Sequence, residues 1–241
     1  MQKSEFNRYS SDYVQQVKKS ISFMRVRQEF FTRVKAGYIL ELARTHLGDP
    51  CKTKIVDVGC GVGLTDQLLC DSVGELHGVD VAGESVVLAQ KNVPRGLYRA
   101  YDGGKLPYED QMFDLAFCVN VLHHVLPTQW TALAAEMARV IRIGGIVIVF
   151  EHNPLNPLTR LAVFRCKFDR GTNLLGMRTA RKILSSQSLR IVDSRYILAS
   201  PFAGRVWDRI DSVLRAIPAG AQYFVAGKRL NKCINKRRMK V

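Results

Sequence analysis

Lys54-Ile55-Val56-Asp57-Val58-Gly59-Cys60-Gly61-Val62-Gly63-Leu64 is a strand running into a glycine turn and a helix start. Ile55, Val56 and Val58 supply the β-branched bulk of a buried strand, and Leu64-Thr65-Asp66-Gln67-Leu68-Leu69 reads as helical. Between them stand alternate glycines, where side chains would fill the space that a nucleoside needs. A tight strand-to-helix turn alone would ask for two of the three glycines. Asp57, two positions before the first of them, narrows the reading, and the G-x-G-x-G spacing is not the G-x-G-x-x-G of a dinucleotide loop.

Working outward, Glu75-Leu76-His77-Gly78-Val79-Asp80-Val81 is a second strand ending in a carboxylate, 17 residues after Gly63. A chain returning from one helix brings such an acid to ribose hydroxyls. Asp102-Gly103-Gly104-Lys105-Leu106-Pro107 follows a third strand over Gly96 to Tyr101, and Phe113 to Val125 is a fourth strand passing through Asn120 into a turn at Leu122-His123-His124.

With these motifs in this order, the segment from Thr53 to Phe150 resembles the class I S-adenosylmethionine (AdoMet) methyltransferases. The resemblance implies an α/β fold: a Rossmann-like, mostly parallel seven-stranded sheet with helices on both faces and an N-terminal helical lid. It implies AdoMet as cofactor, with Asp57, Gly59, Gly61 and Gly63 lining its methionine and ribose part and Asp80 holding the ribose diol. Val81 would pack on the adenine, Asp102 would accept from the adenine amino group beside Gly103, and the Asn120 carbonyl would meet the methionine amino group. The opening Phe6-x-x-Tyr9-x-x-x-Tyr13 pattern looks like an aromatic lid, with Tyr13 closing over AdoMet.

The other elements follow the same alternation. An amphipathic helix over Val26 to His46 carries Phe30, Phe31, Val34, Tyr38 and Leu42 at three- and four-residue steps. Helices are predicted over Gly83 to Asn92, from near Pro127 to Ile141, and over Thr159 to Lys167, Thr179 to Ser186 and Val206 to Arg215. Gly144-Gly145 is expected to turn into the strand Ile146 to Phe150, and strands near Arg190 to Leu198 and Gln222 to Lys228 to close the sheet as a hairpin-like pair. Apolar strands alternating with helices predict a sheet covered on both faces.

At 241 residues the chain reads as a single domain over 1–230: a lid region 1–50, an AdoMet-binding core 51–152, and an acceptor-side and closing part 153–230, with a basic tail 231–241. A hydrophobic content of 47% argues against disorder. No run of 18 apolar residues and no charged-then-apolar leader occurs, so a soluble cytoplasmic protein is expected. The formal charge is +15, and about half of it lies between Lys228 and Lys240, where no acid occurs; that tail suits a solvated terminus, with binding to nucleic acid or peripheral contact with an anionic membrane surface as the alternatives. The six cysteines are scattered without a C-x-x-C pair, and no metal site is expected.

Methyl transfer from a sulfonium asks the protein for alignment, exclusion of water and, for a protonated nucleophile, a base. His123, His124 and His152 fall at the carboxyl ends of predicted strands, where open α/β sheets bind ligands. His124 is the first candidate base and His152 the second, with His123 read as packed or hydrogen-bonded. Phe150-Glu151-His152-Asn153-Pro154-Leu155-Asn156-Pro157-Leu158-Thr159-Arg160 with Cys166-Lys167-Phe168-Asp169 resembles bacterial small-molecule methyltransferases of glycan and natural-product assembly. Arg160, Arg165 and Arg170 could favour an anionic acceptor. The expected activity is O-methylation of a hydroxylated or glycan-linked small molecule. The alternatives are an RNA methyltransferase, a quinone or lipid C-methyltransferase, and a noncatalytic AdoMet-binding partner subunit. Asn120 is followed by Val121-Leu122-His123 and not by the Pro-Pro-aromatic run of nucleic-acid amino-methyltransferases, which disfavours nucleic acid.

Overall fold

The computed structural model describes residues 28–166, 169, 171–198 and 218–231. The lid aromatics including Tyr13, the helix expected over Val206 to Arg215, Arg170 and the tail beyond residue 231 lie outside the described residues.

Its elements in chain order are α1 (Gln28–Leu47), β1 (Lys54–Val58), α2 (Asp66–Leu69), β2 (Glu75–Asp80), α3 (Gly83–Asn92), β3 (Leu97–Ala100), β4 (Phe113–Val119), α4 (Trp130–Val140), β5 (Ile141–His152), α5 (Pro157–Arg165), α6 (Met177–Ser186), β6 (Leu189–Ile197) and β7 (Gln222–Arg229). They build a seven-stranded sheet in the order β3-β2-β1-β4-β5-β7-β6. The pairs from β3 through β5 are parallel, while β7 runs antiparallel to both β5 and β6. This is the Rossmann-like class I methyltransferase fold, including the hairpin-like closing pair expected from the sequence.

β5 shows why both faces must be covered. Ile146, Ile148 and Phe150 face one side with Ile39, Leu42 and Ala43 of α1, and Val147 and Val149 face the other with Leu133 and Met137 of α4 and Leu184 of α6. All five strand residues are at most 1% exposed, so an uncovered face would leave a continuous apolar surface in water.

One boundary differs from expectation. β5 begins at Ile141, and Gly144-Gly145 lies inside it and does not precede it. Ile141 already pairs with Phe113, and the register shifts between Phe113 and Leu115. A side chain on Gly145 would stand 2.7 Å from the Asp114 carbonyl oxygen, so the glycine pair serves an irregular strand crossing.

The chain leaves β1 towards β2 and β3 on one side and reaches β4 and β5 on the other, so the strand order reverses between β1 and β4. A crevice forms outside the carboxyl ends at such a point. Among the described residues no helix is long and apolar enough to cross a membrane.

Candidate active site

The turn after β1 is shaped by positions that exclude side chains. Gly59 has φ +81°, and a Cβ there would run into the Val121 side chain, so only glycine lets the loop pass beneath the turn after β4. Gly61, at φ +51°, faces nothing within 4 Å, which leaves open space beside the loop. Asp80 at the end of β2 fixes that loop: one carboxylate oxygen accepts from the Gly61 N–H at 2.8 Å and the other from the Ala82 N–H at 2.9 Å. Each of those oxygens retains further lone-pair capacity, as a diol clamp requires.

Val81 and Gly103 are neighbours, since a Cβ on Gly103 would lie 3.4 Å from Val81 Cγ1. Asp102 is exposed and accepts from the Gly104 N–H at 2.9 Å, capping its own turn with one oxygen. Asn120 closes the opposite wall at φ +57°, a costly conformation for a residue with a side chain. Its N–H donates to the Phe150 carbonyl at 2.9 Å, and its side-chain oxygen accepts from Gln222 at 3.3 Å. Gly59, Gly61, Asp80, Val81, Gly103 and Asn120 thus all lie at or just after the carboxyl ends of β1 to β4, the edge at which an open α/β sheet binds ligands. An open space over Gly61, a carboxylate at its floor and a bare backbone at Gly59 fit a nucleoside-bearing ligand.

Asp57 is placed differently from its neighbours in the motif. It is buried under the turn, hydrogen-bonded to the buried Asp66, which in turn accepts from Tyr98 Oη at 2.8 Å. One oxygen of each carboxyl is without a donor among ordinary groups, and a proton held between the two acids supplies one. Burial first, then the charges of Asp66 and Asp80, push the Asp57 carboxyl well above its ordinary range; burial lifts Asp66 to about 7. The aspartate of the motif is thus buried at the end of β1 beside Asp66.

The acceptor side is built from the ends of β4 and β5. After Asn120 the chain makes a single tight helical turn, Leu122–His124, locked by Trp130, whose indole N–H donates to the Leu122 carbonyl at 2.7 Å. Glu151, fully buried in β5, clamps the same turn: one oxygen accepts from the Leu122 N–H at 2.7 Å and the other lies 2.7 Å from His123 Nδ1. His123 Nε2 and His124 Nε2 each lie 3.4 Å from Asp169 Oδ1. The His123 ring stands 4.1 Å from that of His124 and 5.0 Å from that of His152, centroid to centroid. Gln222 of β7 reaches His152 Nδ1 at 3.4 Å and accepts from the buried Lys35 of α1 at 3.2 Å.

These contacts divide the charges. Burial opposes a proton on His123, but Glu151 and Asp169 outweigh it and lift the imidazole to about 10. Burial and then the neighbouring His123 push His124 down to about 3 and His152 to about 4, so both are neutral imidazoles at pH 7. His123 is packed and hydrogen-bonded, and the two candidate bases flank it.

The segment 153–159 explains its own prolines and asparagines. Asn156 caps α5 by accepting from the N–H groups of Leu158 and Thr159, with Pro157 at the first helical position. Asn153 and Asn156 also donate to the carbonyls of Pro218, Gly220 and Ala219, stitching the segment to the turn before β7. Arg160 and Arg165 are exposed on α5. Sequence reading did not pick out Glu151, Asp169, Lys35 or Gln222 as a group, nor Asp66 and Tyr98.

Comparison with known proteins agrees with this geometry. Residues 56–149 match a methyltransferase-domain family. The ubiquinone biosynthesis O-methyltransferase of Mesorhizobium japonicum is 26% identical over 199 residues, covering 74% of this chain and 79% of that protein. The 2-methyl-6-phytyl-1,4-hydroquinone methyltransferase of a Synechocystis strain is 29% identical over 108 residues, covering 43% of this chain and 33% of that protein. A chain of the complex between the Haloferax volcanii Trm112 methyltransferase activator and a methyltransferase superposes with TM-score 0.65 at 18% identity, covering 94% and 98% of the two chains. The matched domain is a methyltransferase domain, and the fold is that of the class I AdoMet-dependent methyltransferases. Within that class the chain carries the methyltransferase domain whose family model spans β1 to β5.

Asp80→Ala should weaken AdoMet binding by about 10- to 100-fold, because the diol loses an acceptor and two loop N–H groups lose theirs, at about 1 to 3 kcal/mol for such a loss. Calorimetry checks this, and an unchanged dissociation constant would show that Asp80 only shapes the turn.

Proposed function

We propose that the protein transfers the AdoMet methyl group to a hydroxyl oxygen of a small-molecule acceptor held at the carboxyl ends of β4 and β5. The observation that carries this reading is the pair of neutral imidazoles, His124 and His152, gathered with Asp169 beside the crevice. A hydroxyl must lose its proton near the displacement step, and His124 can receive it because the Asp169 carboxylate, 3.4 Å from its Nε2, would stabilise the imidazolium that forms. The names of two relatives, a ubiquinone biosynthesis O-methyltransferase and a hydroquinone methyltransferase, favour a hydroxylated ring over a glycan-linked acceptor.

Bound AdoMet supplies a methyl carbon made electrophilic by its sulfonium. The chain's part is positional: Asp80 and the Gly59–Gly63 loop hold the nucleoside end, Asp102 and Val81 the base, and the Asn120 carbonyl the amino-acid end. Asp57 positions the loop through Asp66. His124 would take the acceptor hydroxyl's proton as the methyl is transferred to its oxygen. Burial of the cluster excludes water from this step. In this reading 1–50 is the lid region with Tyr13 over the cofactor, 51–152 the AdoMet core, 153–230 the acceptor side, and 231–241 a tail outside the reaction.

The experiment is transfer of labelled methyl from AdoMet to a panel of catechols and hydroquinones, glycan intermediates and RNA. Label on an oxygen of a hydroxylated ring is the expected result. Label on RNA alone, or no AdoMet binding by calorimetry, would sink the proposal.

A further inference from the structure

Three donor groups from separate segments converge at the acceptor side: one ring nitrogen each of His123 and His152 and one carboxylate oxygen of Asp169, all within 4.8 Å of one another. No metal-ligand spacing announces them in the sequence, because the turn after β4, the end of β5 and the segment after α5 meet only in the fold.

We propose that His123, His152 and Asp169 bind a divalent first-row transition ion, zinc in the first instance, whose open coordination positions take the acceptor's hydroxyl. The ion site stands on its own geometry; its link to the acceptor rests on the O-methylation reading above.

The donor set is the first argument. Two imidazoles and a carboxylate are the ligands of metal centres that keep a position open for water or substrate, whereas closed structural sites take four protein ligands. The second is orientation. Glu151 lies 2.7 Å from His123 Nδ1, and the partner it offers there leaves Nε2 pointing at Asp169, 3.4 Å away. Glu151 cannot swing aside, since its other oxygen accepts from the Leu122 N–H. A carboxylate behind a ligating histidine fixes the ring and strengthens it as a ligand.

Spacing is the third argument. Ligand atoms about 2.1 Å from one ion stand roughly 3 to 4 Å apart. His123 Nε2 and Asp169 Oδ1 already do, at 3.4 Å, so the remaining donor has at most about 1 Å to move. Charge is the fourth. Glu151, fully buried, and Asp169, partly exposed, bring two carboxylates to the cluster, and among the described residues the Lys35 ammonium reaches in from α1 to help balance them. A divalent ion on neutral imidazoles balances them as well. At its open position it would polarise an acceptor hydroxyl and ease the loss of its proton to His124, which lies outside the trio.

The test uses tag-free full chain stripped with chelator, titrated with Zn2+ by calorimetry and with Co2+ by its visible d–d absorption. One ion per chain is expected. Glu151→Gln should weaken binding by about 10- to 100-fold. Asp169→Asn and His152→Gln should weaken it more. Thermal melts run alongside, and Asp169→Asn, at a partly exposed segment, keeps the test open if a histidine variant fails to fold. No stoichiometric ion on the wild type, or affinity untouched by Asp169→Asn, would overturn the site. An ion that binds while chelated enzyme methylates its acceptor at full rate would overturn its role with the acceptor. Absence of AdoMet binding is a separate readout that strikes the methyltransferase reading and leaves the ion titration standing.

Discussion

His124→Ala is expected to lower single-turnover methyl transfer by about 100- to 10,000-fold, the range for loss of a general base. AdoMet affinity should hold, because the cradle is built from the ends of β1 to β4 and from Asp80, and His124 contributes no group to it. The effect is expected at His124 because of how its turn is held. Glu151 and Trp130 lock Leu122–His124 from two sides, and Asp169 lies 3.4 Å from His124 Nε2, so the ring is oriented before any acceptor arrives. His152→Gln should also depress turnover, but with loss of the bound ion, which separates a ligand from a proton acceptor. The measurement is rapid-quench transfer at saturating AdoMet, with calorimetry and melting curves on the same preparations. Near wild-type rates in His124→Ala would mean that alignment and exclusion of water carry the reaction without this imidazole.

The parts of the site that were legible in the sequence are those whose chemistry is local. Gly59, Gly61 and Gly63 announce a close backbone approach within five residues, and Asp80 and Asp102 end predicted strands, so their place at the crevice follows from strand order alone. The histidines were legible by the same rule. Their partners were not. Asp169 meets His123 across 46 residues, Glu151 meets it across 28, and Lys35 meets Gln222 across 187, and no periodicity in the chain encodes those meetings. Asp66 is the sharpest case. In a short helical run its carboxylate reads as an ordinary first-turn acid, but α2 is tucked so closely beneath the glycine turn that the side chain is fully buried. The expected start of β5 failed for a related reason: Gly144-Gly145 reads as a turn, while pairing with Phe113 and Leu115 carries the strand through it.

That buried acid sets the other large effect: Asp66→Asn is expected to stabilise the protein by about 4 kcal/mol at pH 8 and by only about 1 to 2 kcal/mol at pH 5. In the folded chain burial lifts the Asp66 carboxyl to about 7, against about 3.9 when unfolded. Between those values the folded state holds a proton that the unfolded state has released, so the contribution of this group to stability falls as pH rises from about 4 through about 7. Asparagine is neutral throughout, accepts from Tyr98 Oη as the aspartate does, and offers an N–H to Asp57, so it keeps the contacts and removes the titration. Other buried groups also titrate. His124 and His152, held low, oppose the trend between about 4 and 6.5, whereas His123, held at about 10, adds to it above 6.5. The informative quantity is therefore the difference between wild type and variant, measured by urea unfolding across pH 5 to 8, because the histidine contributions cancel in it. A difference that grows with pH identifies a shared proton beneath the glycine turn. A difference that stays flat would mean that both carboxyls ionise as ordinary acids and that the loop above Asp57 is held by packing alone.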